Sequence, residues 1–441
     1  MCGPPTVGRR YWGVIPTGKR RKSPLPTSPE GKVRDLIRAA EKDLHQVFAV
    51  FEERGLRNQE RMLVAFQKER VGTHHFPAST GYGYGDAGRE TLERVFARVF
   101  GGEAALVRQQ IVSGTHIIHS CLSGILRPGD ELLFATGRPY DTLRTITGLE
   151  GNVPGNLKEF DITTKTVPLQ ADGGIDLNGV LREITPATRV IAFQRSCGYE
   201  HRPSIGLDEL ATVFTRLRQL DDCPVLFVDN CYGEFVETCE PPGVGAHLTA
   251  GSLMKNPGGG WIPSGGYVVG ETHLIKQVAA RLYAPGLEDE VGPSLLNLRL
   301  FFQGFFDAPH RVTEMLKAAA LFAQVFQDLG FPVAPAPEAE RTDIIQRIDL
   351  GSAGLLLKVC RSLQQASPVE SYVSPEPAAM PGYPNKIVMA AGTFISGATS
   401  ELSADAPITP PYSLYVQGCL SYFHAKLALA RILTALQSDI F

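Results

Sequence analysis

Residues 252–260 read SLMKNPGGG, so Lys255 follows an apolar pair and precedes a proline and three glycines. An ammonium drawn in among apolar neighbours loses hydration. A lysine kept there suits chemistry of its amine, most simply as a nucleophile that links to a carbonyl carbon as a Schiff base. Two other stretches offer what such an amine needs. PVLFVDNCYGEF is an apolar run that reads as a buried parallel strand with Asp229 at its carboxyl end, where open α/β sheets bind ligands. A carboxylate there requires a cation or a donor, and a protonated pyridine nitrogen is one such partner. The plainer reading is an aspartate that caps the next turn. IVSGTHIIHSCLSG puts Ser113, Gly114 and Thr115 at the mouth of a helix. Free N–H groups and the positive end of the dipole favour a phosphate there, and the same residues also suit a simple cap. Ser252, three residues before the lysine, can reach that phosphate, and the glycines after it let the backbone pass close to a cofactor. A lysine, a carboxylate and a phosphate cradle are what pyridoxal phosphate requires.

The elements that would position these residues follow from pattern. KVRDLIRAAEKDLHQVFAVFEERGLRNQERMLVAFQKE has apolar residues at helical spacing, with Gly55 placed to end one helix and Asn58 to cap a second. GYGDAG at 83–88 matches G-x-G-x-x-G, but the stretch before it contains Pro77 and few strand formers, which argues against a dinucleotide loop. RETLERVFARVFG is an amphipathic helix closed by Gly101 and Gly102. Beyond residue 104, apolar runs (AALVRQQI, ELLFAT, TKTVPL, TRVIAFQ, PVLFVDN, GGYVVG) alternate with helical stretches (THIIHSCLSGIL, DTLRTITGL, GLDELATVFTRLRQL). That alternation predicts an α/β fold with a mainly parallel sheet between helices. After 290 a long, broken helical region gives way to proline-punctuated segments and a closing helix in YSLYVQGCLSYFHAKLALARILTAL. The expected organisation is a flexible basic arm at 1–31, a helical segment at 32–80, a large cofactor-binding domain at 81–305 and a smaller α+β domain at 306–441.

The order of these motifs resembles fold-type I pyridoxal-phosphate enzymes of the cysteine/methionine metabolism group. SGTHIIHSCLSGILRPGDELLFATGRPYDTL, VDNCYGEFVE, GSLMKNPGGG and MAAGTFISGATSELSADAP are closer still to the methionine gamma-lyase-like branch, also labelled aluminium resistance protein. The resemblance covers residues 32–441. It implies that Lys255 carries the cofactor and later moves the substrate's α-proton, and that Asp229 keeps the pyridine nitrogen protonated. It implies further that Tyr140 stacks on the ring, where a core aromatic is the alternative, and that Ser113, Gly114, Thr115 and Ser252 hold the phosphate. GYGYGDAG matches the place where the larger group carries a Tyr-x-Arg pair that reaches a neighbouring subunit's site. Tyr82 and Tyr84 are present without the arginine, Tyr84 as a phosphate or substrate contact and Tyr82 on the substrate side. Relatives also use an arginine of the C-terminal domain for the α-carboxylate, yet 386–410 contains none. Arg202 and Arg195 in FQRSCGYEHRPS stand in as candidates, with a surface salt bridge as the alternative. His116 and His119 read as packing or capping, and Cys231 as a small packing residue.

The implied reaction is a pyridoxal-phosphate-dependent β- or γ-elimination on a sulfur amino acid such as methionine, cystathionine or cysteine. An aminotransferase or an idle cofactor binder on the same scaffold is the alternative. The resemblance also implies a homo-oligomer, a dimer of dimers. Composition fits this and excludes other classes. The 441 residues carry a formal net charge of −3 with 43% hydrophobic and 20% charged residues, so nothing points to nucleic acid or a membrane surface. Eight scattered cysteines without a Cys-x-x-Cys pair argue against structural zinc or any other metal site and for a reducing, cytoplasmic setting.

Overall fold

The computed structural model describes residues 29–440 apart from 152, 381, 382 and 384, so most of the expected basic arm lies outside the described residues. The chain enters through α1 (Pro29–Asp43), α2 (His45–Lys68) and α3 (Ala87–Phe100). Seven strands follow: β1 (Ala104–Arg108), β2 (Glu131–Phe134), β3 (Thr163–Thr166), β4 (Thr188–Gln194), β5 (Val225–Asp229), β6 (Leu248–Ser252) and β7 (Gly266–Gly270). Interleaved with them are α4 (Gly114–Ile125), α5 (Asp141–Thr147), α6 (Leu177–Glu183), α7 (Leu207–Leu217) and α8 (Thr272–Leu282). The sheet order is β1-β7-β6-β5-β4-β2-β3, and only β7 runs against its neighbours. Burial on both faces explains the unbroken apolar runs of the central strands. Ile117, Leu122 and Val278 cover one face from α4 and α8, while Val213, Phe214 and Leu217 of α7 cover the other.

The long helix α9 (Arg299–Asp328) leads into a smaller unit. It contains β8 (Val333–Ala334), β9 (Gln346–Asp349), α10 (Ala353–Gln365), β10 (Ile387–Ala391), β11 (Ser403–Pro407), β12 (Ser413–Gln417), α11 (Tyr422–Ala435) and α12 (Gln437–Ile440). Its five strands form an antiparallel sheet ordered β10-β11-β12-β9-β8. Among the described residues no helix is long and apolar enough to cross a membrane.

Several local expectations change. Gly55 and Asn58 lie inside α2, and the break falls at Leu44 instead. Gly55 is a packing residue, since a Cβ there would strike the Thr313 hydroxyl of α9. Asn58 is buried and donates to the carbonyls of Phe235 and Glu237 (2.8 and 3.0 Å). Helix α9 is not broken: it passes through Pro309 because Phe305, Ala308, Val312 and Met315 are all fixed in the core, which outweighs the lost hydrogen bond. The boundary expected at 305/306 falls within this helix, so both units share it. The stretch LTAGS is strand β6, although its small polar residues carry little strand signal. The closing segment is strand β12 before it becomes helix α11.

The glycines after Lys255 also meet a neighbour within the protein. A Cβ on Gly259, which sits at φ +56°, would strike the Gly304 carbonyl, and a Cβ on Gly304 would strike the Gly258 carbonyl. The loop thus lies backbone to backbone on α9, and the glycines hold the lysine loop on the protein's own helix. Gly304→Ala should lower stability by about 1 kcal/mol: overpacking costs roughly 2 kcal/mol, while alanine gains about 1 kcal/mol of helix propensity. The midpoint of urea unfolding measures this, and a variant as stable as the parent would show that the contact is slack.

Candidate active site

The register of the parallel strands sets the site. Gln194 of β4 pairs with Asp229 of β5, and Asp229 pairs with Ala250 of β6, so three adjacent carboxyl ends open on one side. Ser252 ends β6, and Lys255 follows three residues later. Across from them α4 begins at Ser113, whose Oγ accepts the His116 N–H (3.1 Å) as an N-cap. These residues line one cavity of about 280 Å³ together with Tyr140, Tyr199, Tyr232, Tyr383 and Gln417. The first turn of α4 therefore aims the N–H groups of Gly114 and Thr115 at the same space as the lysine. A Cβ on Gly114 would come 3.3 Å from Cys231 Sγ and 3.5 Å from Ser252 Cβ, so the glycine keeps this cradle open.

Asp229 is 5% exposed and takes the Cys231 N–H on Oδ1 (3.1 Å). Burial raises its carboxyl above the ordinary aspartate value, and the facing Lys255 opposes that rise. Burial pulls the Lys255 ammonium down. The groups that face it, Cys231, Tyr232, Asp229 and Tyr140, reverse the balance and hold it above the ordinary lysine value. Nζ also lies 3.8 Å from the centroid of the Tyr232 ring, a cation–π contact. Tyr232 has φ +73°, a strained backbone held at the edge of a ligand cavity. Tyr140 is half-buried, its hydroxyl lies 3.3 Å from Thr115 Oγ1, and its N–H donates to Gln194 Oε1 (3.0 Å). Burial and the Asp229 charge push its phenol up, so it stays protonated.

These residues fit pyridoxal phosphate. A desolvated carboxylate awaits a ring N–H, a lysine amine opens onto the same space, and a helix N-terminus with two hydroxyl side chains awaits a phosphate. Lys255, Asp229, Tyr140, Ser113, Gly114, Thr115 and Ser252 come together here as expected from sequence. Arg195 and Arg202 do not. Arg195 is wholly buried, ion-paired to Glu237, and donates to Asn230 Oδ1 (2.7 Å) and the carbonyls of Gly233, Ile205 and Thr342. It braces the chain behind β5 and has no donor to offer a substrate. Arg202 donates to the carbonyls of Ser196, Pro203 and Gln194 (2.6, 2.9 and 3.2 Å) and lines a separate cleft. Tyr82 and Tyr84 stack on one another (5.5 Å) at the surface, 68% and 62% exposed, away from this chain's own cavity. His116 takes the Val112 N–H on Nδ1 (3.2 Å), a capping role as expected. Sequence reasoning missed Tyr199, Tyr232, Gln194, Tyr383 and Gln417. Gln194 at the end of an apolar strand was findable, whereas Tyr383 and Gln417 lie too far along the chain to leave a local signal.

Beneath the lysine loop, Glu234 is wholly buried, accepts the Tyr267 hydroxyl on Oε1 (2.8 Å), and has no described partner for Oε2. Burial pushes its carboxyl up to about 8 from the ordinary 4.5. The folded chain therefore holds this proton where the unfolded chain has released it. The resulting stability is full below about 4.5 and is lost as pH rises through about 8. Glu234→Gln should flatten the decline in unfolding midpoint across that window; an unchanged slope would mean that Glu234 is ionised in the folded chain.

A family model described as methionine gamma-lyase matches residues 33–437. The uncharacterized protein YnbB of Bacillus subtilis is 48% identical over 397 residues, spanning 90% of this chain and 94% of YnbB. Among solved structures, a candidate cystathionine beta-lyase of Listeria monocytogenes involved in aluminium resistance is 45% identical with a TM-score of 0.90, covering 92% of this chain and 100% of that one. A carbon–sulfur lyase of Clostridium novyi involved in aluminium resistance is 41% identical with a TM-score of 0.87, covering 91% and 95%. The pyridoxal-5'-phosphate-dependent protein YhfS of Escherichia coli shares the fold at 17% identity and a TM-score of 0.59, covering 88% and 97%. By these matches along nearly all of its described length, the chain belongs to the methionine gamma-lyase family.

Proposed function

We propose that this protein is a pyridoxal-phosphate-dependent carbon–sulfur lyase. It takes a sulfur amino acid such as methionine, cystathionine or cysteine, removes the α-proton and releases a thiol from the β or γ carbon. The residual carbon skeleton leaves as a 2-oxo acid and ammonia. The observation that carries the reading is the meeting of Lys255, Asp229 and the α4 N-terminus in one cavity. The lyase names of the Listeria and Clostridium relatives support the choice of bond. When bound, pyridoxal phosphate supplies an aldehyde that links amines and a ring that accepts an electron pair.

The chain's own residues do the rest. Asp229 Oδ atoms, held at a strand tip and shielded from water, accept a ring N–H. Lys255 Nζ opens onto the same cavity, where the amine, once deprotonated, would serve as nucleophile and base. Ser113, Gly114, Thr115 and Ser252 orient the phosphate end, and Tyr140, protonated and anchored to Thr115 and Gln194, covers one face. Tyr82 and Tyr84, exposed on the chain, complete the site of a second copy in a homo-oligomer. The seven described cysteines are unpaired, which suits a reducing cytoplasm.

Borohydride reduction of the cofactor-supplemented protein should trap the cofactor on the peptide containing Lys255. Lys255→Ala should lose both the adduct and thiol release, the latter by about a thousandfold or more. A Lys255→Ala variant with full turnover would sink the assignment. Thiol and 2-oxo acid formed without an amino acceptor indicate a lyase, whereas a strict need for an acceptor indicates an aminotransferase. Cofactor absorbance that no amino acid perturbs indicates an idle binder.

A further inference from the structure

The cavity has two walls of different chemistry. One holds the lysine, the strand tips and the α4 N-terminus. The other comes from the loop after β4 and from the smaller unit, and it is built around Asp405 of β11, which is 4% exposed. The Tyr199 hydroxyl donates to Asp405 Oδ2 at 2.5 Å, and Gln417 Nε2 donates to the same oxygen at 2.8 Å. Tyr199 is fixed from behind as well, since the Tyr415 hydroxyl donates to its carbonyl (2.7 Å). The Tyr383 ring lies 5.5 Å from that of Tyr199. Tyr199, Tyr383 and Gln417 line the cavity.

The Tyr199 side of this wall offers acceptors, while Gln417 keeps a second amide N–H. Tyr199 has a single proton, already given to Asp405, so it shows the cavity lone pairs and a π face. Burial raises the Asp405 carboxyl above the ordinary aspartate value, and the Tyr199 and Gln417 donors oppose that rise and favour its charged form. Among the described lining residues there is no arginine, and Lys255 is the sole lysine or arginine. Aromatic rings over a buried carboxylate make a setting for an ammonium group and a poor one for an anion or a bare alkyl chain.

We propose that this wall selects sulfur amino acids whose sulfur substituent ends in an ammonium group, that is, aminoalkyl thioethers, over those ending in an alkyl group or a carboxylate. Tyr199 meets the ammonium, and Asp405 is a positioning residue that sets the hydroxyl and supplies the charge behind it. The inference rests on the lyase reading above and names its substrate class.

The test uses holoenzyme with S-(2-aminoethyl)-L-cysteine, S-propyl-L-cysteine and S-(2-carboxyethyl)-L-cysteine. The first two match in length and differ only at the terminal group. Cofactor absorbance gives binding and thiol release gives kcat/KM. The aminoethyl compound should be favoured by about tenfold or more over the propyl one, with the carboxyethyl compound weakest. Asp405→Asn should collapse the aminoethyl-to-propyl ratio to within about threefold. Tyr199→Phe, which keeps the ring and the carboxylate, should shrink the same ratio and serves if the first variant does not fold. Equal or better handling of the propyl compound by the parent protein overturns the proposal while leaving the lyase reading intact. A variant that slows both compounds by the same factor reduces Asp405 to scaffolding and also overturns it. If none of the three perturbs the cofactor or yields thiol while methionine or cystathionine does, the proposal falls and the lyase reading stands; if methionine and cystathionine fail as well, both fall.

Discussion

A carboxylate and an amine withdrawn from water have to answer each other, and the site is organised around that requirement. Asp229 and Lys255 sit at and just beyond the carboxyl ends of adjacent strands, where backbone register rather than side-chain flexibility decides their separation. Each alone would be neutralised by burial; together they keep charge in reserve. The Tyr232 ring, 3.8 Å from Nζ, steadies the amine at the cost of a left-handed backbone.

That pair is only as firm as the loop that carries the lysine. The glycines at 258 and 259 bring this loop onto the backbone of α9 at Gly304, closer than any side chain would permit. Helix α9 in turn belongs to both units, and its apolar face joins the cores of the entry helices and of the smaller sheet. The lysine loop is thus braced by the same helix that fixes the second wall of the cavity.

The two walls divide the work. Strand tips and the α4 N-terminus, on the larger unit, hold groups suited to a cofactor, and they are determined by sheet geometry common to the fold. The opposite wall draws Tyr383 and Gln417 from the smaller unit, with Asp405 behind Tyr199 and Gln417. The arginines expected there are employed elsewhere: Arg195 in a buried ion pair with Glu237, and Arg202 in tying the loop after β4. No arginine is among the described lining residues, and the wall there is made of the Tyr199 and Tyr383 rings and the Gln417 amide.

Periodicity and local chemistry along the chain were enough for much of this. The apolar runs ending in Gln194 and Asp229, the Ser-Gly-Thr helix start and the lysine before three glycines are contiguous signals, each produced by a backbone group's need to be buried, capped or turned. They determined the α/β sheet, its cofactor wall and the residues on it. What the glycines pack against, the continuity of α9 through Pro309, strand β6 and the fate of both arginines depended on neighbours far away in the chain. The same holds for the opposite wall of the cavity, where Tyr199 and Asp405 stand 206 residues apart and meet through one hydrogen bond. Short-range pattern records what a segment must bury, whereas only the folded chain decides which partner it is buried against, because that choice is made by packing between elements and leaves no trace in local spacing.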